Sequence, residues 1–96
     1  MNYAFLEPAK AELDEAQGHF NRLQPGLGDE FLDEVQNAIK KILKNPEAWR
    51  KIDKDARRCR THKFRYGVVY QITTEGILIV AVMHLHRKPG YWADRL

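Results

Sequence analysis

The chain is short of the features that mark most specialised proteins. Its 96 residues include one cysteine, Cys59, so no internal disulfide can form and a reducing compartment, the cytoplasm, is expected. No apolar run approaches the roughly 18–20 residues needed to span a bilayer. The longest, Ile77 to Met83, falls far below that, so no membrane association is expected. Met1-Asn2-Tyr3 carries no basic n-region and acids begin at Glu7, so a secretory leader is not expected either. A Walker A loop, GxGxxG, HExxH and CxxC are all missing. Their absence argues against nucleotide-dependent chemistry and ordinary zinc sites, and neither a cofactor nor a metal is expected. Internal repeats and low-complexity tracts are missing too.

What is present suits one small folded domain spanning residues 1–96. A chain of this length buries only about 60–65% of its unfolded surface, so its 44% apolar residues must be well placed. The net charge of +3 hides a division. Residues 1–48 hold five Lys/Arg against nine Asp/Glu, a net −4, while residues 49–96 hold eleven against four, a net +7.

Asn2–Leu6 is short and apolar and reads as a first strand, with Pro8 opening a helix where its missing N–H costs nothing. Ala9, Leu13, Ala16, Phe20 and Leu23 then follow helical spacing, and Pro25-Gly26-Leu27-Gly28 turns the chain. A second helix buries Phe31, Leu32, Val35, Ala38, Ile39, Ile42 and Leu43, with acids in its first turns and lysines in its last, as the helix dipole favours. Asn45-Pro46 ends it. Two helices so closely linked form an antiparallel hairpin whose apolar face needs a sheet. The second half supplies one: Phe64–Thr73 alternates as a strand, Thr74-Glu75-Gly76 turns, and Ile77–Met83, apolar on both faces, reads as a central strand. Arg57–His62 reads as a charged edge or rim strand, and Pro89–Leu96 as an extended tail or last turn. The fold class is α+β: an N-terminal strand, a two-helix antiparallel hairpin, and a C-terminal antiparallel meander packed on the helices.

Two segments carry candidate chemistry. Between Arg50 and Arg65 lie Arg50, Lys51, Lys54, Arg57, Arg58, Arg60, Lys63 and Arg65 against only Asp53 and Asp55. Guanidinium forks suit phosphate or carboxylate, so this stretch can grip a nucleic acid or an acidic peptide; its plainer reading is a solvated loop and strand. The second segment runs His84-Leu85-His86-Arg87-Lys88-Pro89-Gly90-Tyr91-Trp92. Its histidines can do acid–base work on RNA or stack on bases, or they can cap the sheet while Tyr91 and Trp92 close the core. A shared metal ion would need His62 or Cys59 as a third ligand, and nothing in the sequence requires one. His19 reads as a surface residue, Trp49 as an anchor for the loop after the second helix, and Tyr66 and Tyr70 as core residues.

The order of elements, the Arg57-Arg58 pair, the segment Phe64-Arg65-Tyr66-Gly67-Val68-Val69-Tyr70 and the closing His84-x-His86-Arg87-x-Pro89-Gly90-Tyr91-Trp92-x-x-Arg95 resemble the RelE/ParE superfamily. These are the toxin halves of bacterial type II toxin–antitoxin, or plasmid stabilisation, modules. The resemblance implies a cytoplasmic prokaryotic protein neutralised by a cognate antitoxin. RelE-like members cleave messenger RNA in the ribosome with Arg, Lys and Tyr side chains, whereas ParE-like members bind DNA gyrase. The chain departs from the RelE-like pattern. Gly67 stands where those strands place a catalytic Arg three residues before the Tyr matched by Tyr70, and Tyr91 comes too early to match the later Tyr; Arg87 does match. The resemblance therefore implies the ParE-like branch, a binding protein rather than an enzyme. Its target-binding surface would be Arg57, Arg58, Arg60, Arg65, His84, His86, Arg87, Trp92 and Arg95. The alternatives are an mRNA endoribonuclease working with the ribosome through Arg65, His84, His86 and Arg87, and a non-toxic module that only binds an antitoxin.

Overall fold

The computed structural model describes all residues 1–96. Strand β1 (Tyr3–Phe5) is followed by helices α1 (Glu7–Leu23) and α2 (Leu27–Lys44). Four strands come next: β2 (Lys51–Asp53), β3 (Ala56–Arg60), β4 (Tyr66–Thr73) and β5 (Gly76–His84), before a final 3-10 turn, Ala93–Arg95. The five strands form one sheet in the order β1-β5-β4-β3-β2. β1 lies parallel to β5, with Tyr3 opposite Ile77 and Phe5 opposite Ile79, and the other neighbours pair antiparallel. The expected α+β arrangement is therefore present. No helix is long and apolar enough to cross a membrane.

The hairpin forms where the sequence places Pro8 in the first turn of α1 and Pro25-Gly26 between the helices. Gly26 takes the left-handed conformation (φ 90°) that lets α2 begin at once. Gly28 is needed for a different reason: a Cβ there would lie 2.1 Å from the carbonyl oxygen of Gln17. The first turn of α2 thus sits directly against α1, and the Gly28 N–H donates to Asn21 Oδ1 at 2.7 Å.

Burial divides between the two faces of the sheet. Ala9, Leu13, Ala16, Phe31, Val35, Ala38, Ile39 and Ile42 of the helices meet Cys59, Val68, Tyr70, Ile77, Ile79 and Val82. The opposite face buries Ala56, Val69, Val80, Ala81, Met83 and Trp92. Two consecutive residues, Val80 and Ala81, reach that second face because the register between β4 and β5 shifts there: Val69 opposes Ala81 and Tyr70 opposes Ile79. This bulge breaks the strict alternation read along the strand.

Two expectations are corrected. Arg57–His62 is an edge only in part, because an additional short strand, β2, pairs with Ala56 and Arg57 and leaves Arg58–Arg60 without a partner on that side. Arginines are tolerated in this strand because Ala56 and Cys59 supply its buried contacts while the charged heads leave the sheet. Phe64 and Arg65 precede β4 rather than belong to it. Both have positive φ (76° and 54°), a left-handed turn that sends Phe64 against Phe20 and Phe31.

Candidate functional site

At one end of the sheet, the turn before β4 and the turn after β5 meet. The Leu85 N–H donates to Arg65 O at 2.8 Å. Thr61 braces the first turn: its N–H donates to Tyr66 O at 2.9 Å, and its hydroxyl bonds the carbonyl of Lys63. Arg65 and His86, far apart in sequence, thereby come within 3.2 Å, the guanidinium donating to His86 Nε2. The His86 N–H in turn donates to His84 Nδ1 at 3.1 Å. The His84 ring lies edge-on to both Tyr66 and His86, with centroids 5.3 and 5.1 Å apart.

These bonds define what the histidines can do. Each neutral imidazole has one acceptor nitrogen, and here both acceptors are occupied, His84 Nδ1 by an amide and His86 Nε2 by Arg65. Both rings are left with an N–H to offer, which suits holding an anion better than abstracting a proton. The nearby phenols are also donors. Burial, then Glu12 and Glu15, push the Tyr66 hydroxyl above its ordinary range. Burial, then its hydrogen bond to Glu12, push Tyr91 up as well. Neither is ionised near neutrality.

Beside this cluster, α1 and the end of β5 enclose an open cavity of about 250 Å³, lined among others by Glu15, His19, Arg22, Tyr66, His84 and Arg87. His19, read from the sequence as a surface residue, belongs to its wall. Glu12, Glu15, His19 and Arg22 recur at helical spacing beside the buried stripe of α1, so the pattern existed in the sequence as a second helix face. Glu12 is the residue that joins this wall to the C-terminal segment. Its carboxylate accepts from Val82 N–H (3.1 Å), Tyr91 hydroxyl (2.5 Å) and both terminal nitrogens of Arg95 (2.8 and 3.0 Å). Arg87 lies 4.0 Å from the same carboxylate and stacks over the Tyr91 ring.

The residues read as a binding surface therefore separate. Arg65, His84, His86 and Arg87 come together and are exposed. Trp92 does not join them. At 1% exposure it closes the second core, as the plainer reading had it, and offers no surface to a target. Arg95 is committed to Glu12, and Arg57 to the carbonyls of Trp49 (2.6 Å) and Glu47. Arg58 and Arg60 form neither ion pairs nor hydrogen bonds through their side chains. The stem of Arg58 lies across Gly67, where an added Cβ would sit 2.8 Å from its Cδ. The place of the missing arginine is thus occupied by a neighbour's methylenes.

Cys59 is buried with its thiol toward Ala38 O. Burial pushes the thiol up, against a smaller opposing pull from Lys41, which leaves it a packing residue. No three His, Cys, Asp or Glu side chains converge as metal ligands.

Three comparisons bear on this geometry. The family model described as "ParE toxin of type II toxin-antitoxin system, parDE" matches residues 3–89. No curated protein matches the chain in sequence. Among solved structures, one described as a chromosomal ParDE TA system from P. aeruginosa is similar with a TM-score of 0.78 at 17% identity, covering 90% of this chain and 97% of that one. At that identity the likeness speaks for the fold.

Proposed function

Because the chain belongs to the ParE toxin family of type II toxin–antitoxin systems, we propose that it arrests bacterial growth by binding a target protein, DNA gyrase, and is neutralised by a cognate antitoxin in the cytoplasm. The observation that carries the binding reading is the occupied acceptor nitrogens of His84 and His86. With the Tyr66 and Tyr91 phenols held protonated, none of the four side chains His84, His86, Tyr66 and Tyr91 is a free general base, and the one unpaired carboxylate of the cavity wall belongs to Glu15 on α1. Gly67, overlaid by the Arg58 stem, supports the same reading, since it supplies no charge where a nuclease would stabilise its transition state. Exposed Arg60, Arg65, His84, His86 and Arg87 and half-buried Arg58 form the surface offered to the target.

A second reading has one observation in its favour: Arg65, His84, His86 and Arg87 do converge, as an endoribonuclease would need. Inducible expression in bacteria separates the two. Growth arrest with intact transcripts and altered DNA topology is the expected outcome. Growth arrest with cleaved messages would establish the nuclease, and normal growth would leave a module that only binds an antitoxin.

A further inference from the structure

Adjoining the basic end of the sheet, the loop after α2 carries no regular structure yet is held firmly. Tyr70, fully buried, donates its hydroxyl to Pro46 O at 2.5 Å, and Arg57 donates to Trp49 O at 2.6 Å. Trp49 packs edge-on against the Tyr70 ring, with centroids 6.5 Å apart. The pinned loop, the last turns of α2 and the edge strand β2 enclose a groove of about 400 Å³ lined by Lys41, Trp49, Arg50, Ile52, Arg58 and Arg60, with Cys59 beneath. Four cations from three segments, α2, the loop and β3, face one space. None is ion-paired, none donates a side-chain hydrogen bond, and no carboxylate lines the groove. Like charges gathered without a counter-ion repel one another, and an anionic ligand relieves that repulsion.

We propose that this groove is a docking site for an extended acidic peptide segment of a protein partner, gripped by Lys41, Arg50, Arg58 and Arg60. The inference rests on the reading above that the protein acts through protein partners. A peptide fits better than a nucleic acid because the groove holds more than charge. β2 ends the sheet, so its outer edge offers unpaired backbone groups that a peptide backbone can match and a sugar–phosphate chain cannot. Ile52, 40% exposed, and half-buried Trp49 give aliphatic side chains something to cover. The fitting ligand therefore alternates carboxylates with aliphatic residues.

The test titrates purified full-length protein with an end-blocked decapeptide alternating Asp and Val, following Trp49 emission; the only other indole, Trp92, is buried. The comparison ligand is hexathymidylate, which carries the same number of negative charges. Saturable binding of the peptide, weakened about tenfold by combined Lys41→Glu and Arg50→Glu but not by Lys10→Glu on α1, is expected. Both groove residues are exposed and unpaired, and an unchanged circular dichroism spectrum separates lost binding from lost folding. Equal binding of hexathymidylate, or peptide affinity untouched by the reversals, overturns the proposal. Neither gyrase nor an antitoxin enters this assay, so failure here leaves the growth-arrest reading standing, and failure of gyrase inhibition leaves the groove standing.

Discussion

Glu12 is the single side chain whose loss should cost the fold most for its size. Its carboxylate is 16% exposed and joins three elements: α1, the backbone of β5 at Val82, and the C-terminal segment through Tyr91 and Arg95. Replacing it with Ala removes every one of those acceptors. The Val82 N–H, inside a strand, is left unbonded, at about 1–3 kcal/mol. Arg95 loses a two-pronged partner. Breaking a fully buried pair costs about 3–5 kcal/mol, but Arg95 keeps 19% exposure and its bond to Val80 O at 3.0 Å, which brings this part nearer to about 1–2 kcal/mol. Together Glu12→Ala should lose about 3 kcal/mol in urea denaturation, with Tm falling by roughly 10–20 °C for a domain of this size. Glu12→Gln keeps an acceptor for Val82 and one for Arg95, so its loss should be about half. A Glu12→Ala protein within about 0.5 kcal/mol of the parent, the range of an ordinary surface change, would refute the role assigned to this carboxylate.

Further outcomes follow from the same contacts. Gly28→Ala drives a Cβ into the backbone of Gln17 rather than into a side chain that can move; the helices must part, and a loss of at least about 3 kcal/mol or failure to fold is expected on denaturant unfolding. Trp92→Ala should cost about 3–5 kcal/mol in the same measurement, as for other large core truncations, whereas Trp92→Phe should leave target binding intact because Trp92 does not reach the surface. Burial, the largest influence, raises Tyr70 to about 12. Its folded value thus lies above the unfolded one near 10, so its contribution is intact below about pH 10 and is lost as pH rises toward 12. Tyr70→Phe should flatten that alkaline decline in the urea midpoint, and an unchanged decline would contradict it.

How far the sequence could be read depended on how local each signal was. The helices were legible from the spacing of Leu13, Ala16, Phe20 and of Phe31, Val35, Ala38, Ile42, because a helix buries its own neighbours at fixed intervals. β5 was legible because both its faces are covered, so its residues needed no alternation. β2 was not, since Lys51-Ile52-Asp53 has neither length nor apolar pattern and exists by pairing with β3. The Glu12 hub was invisible for a different reason: its partners lie 70 to 83 residues away, and no local pattern joins an acid on a helix to an arginine at the other end of the chain. Arg95 read as a free cation for the same reason, and Arg57 because its acceptors are the backbone carbonyls of Glu47 and Trp49, which no side-chain pattern marks. A charge run shows how many cations there are but not which of them the fold has already used.

DNA supercoiling by purified gyrase in the presence of the purified chain tests the binding reading most directly. Inhibition that grows with toxin concentration, weakened by Arg60→Glu with Arg65→Glu while the fold is retained, is the predicted result. Undiminished supercoiling at micromolar folded protein, with transcripts cleaved in cells that express it, would contradict the account.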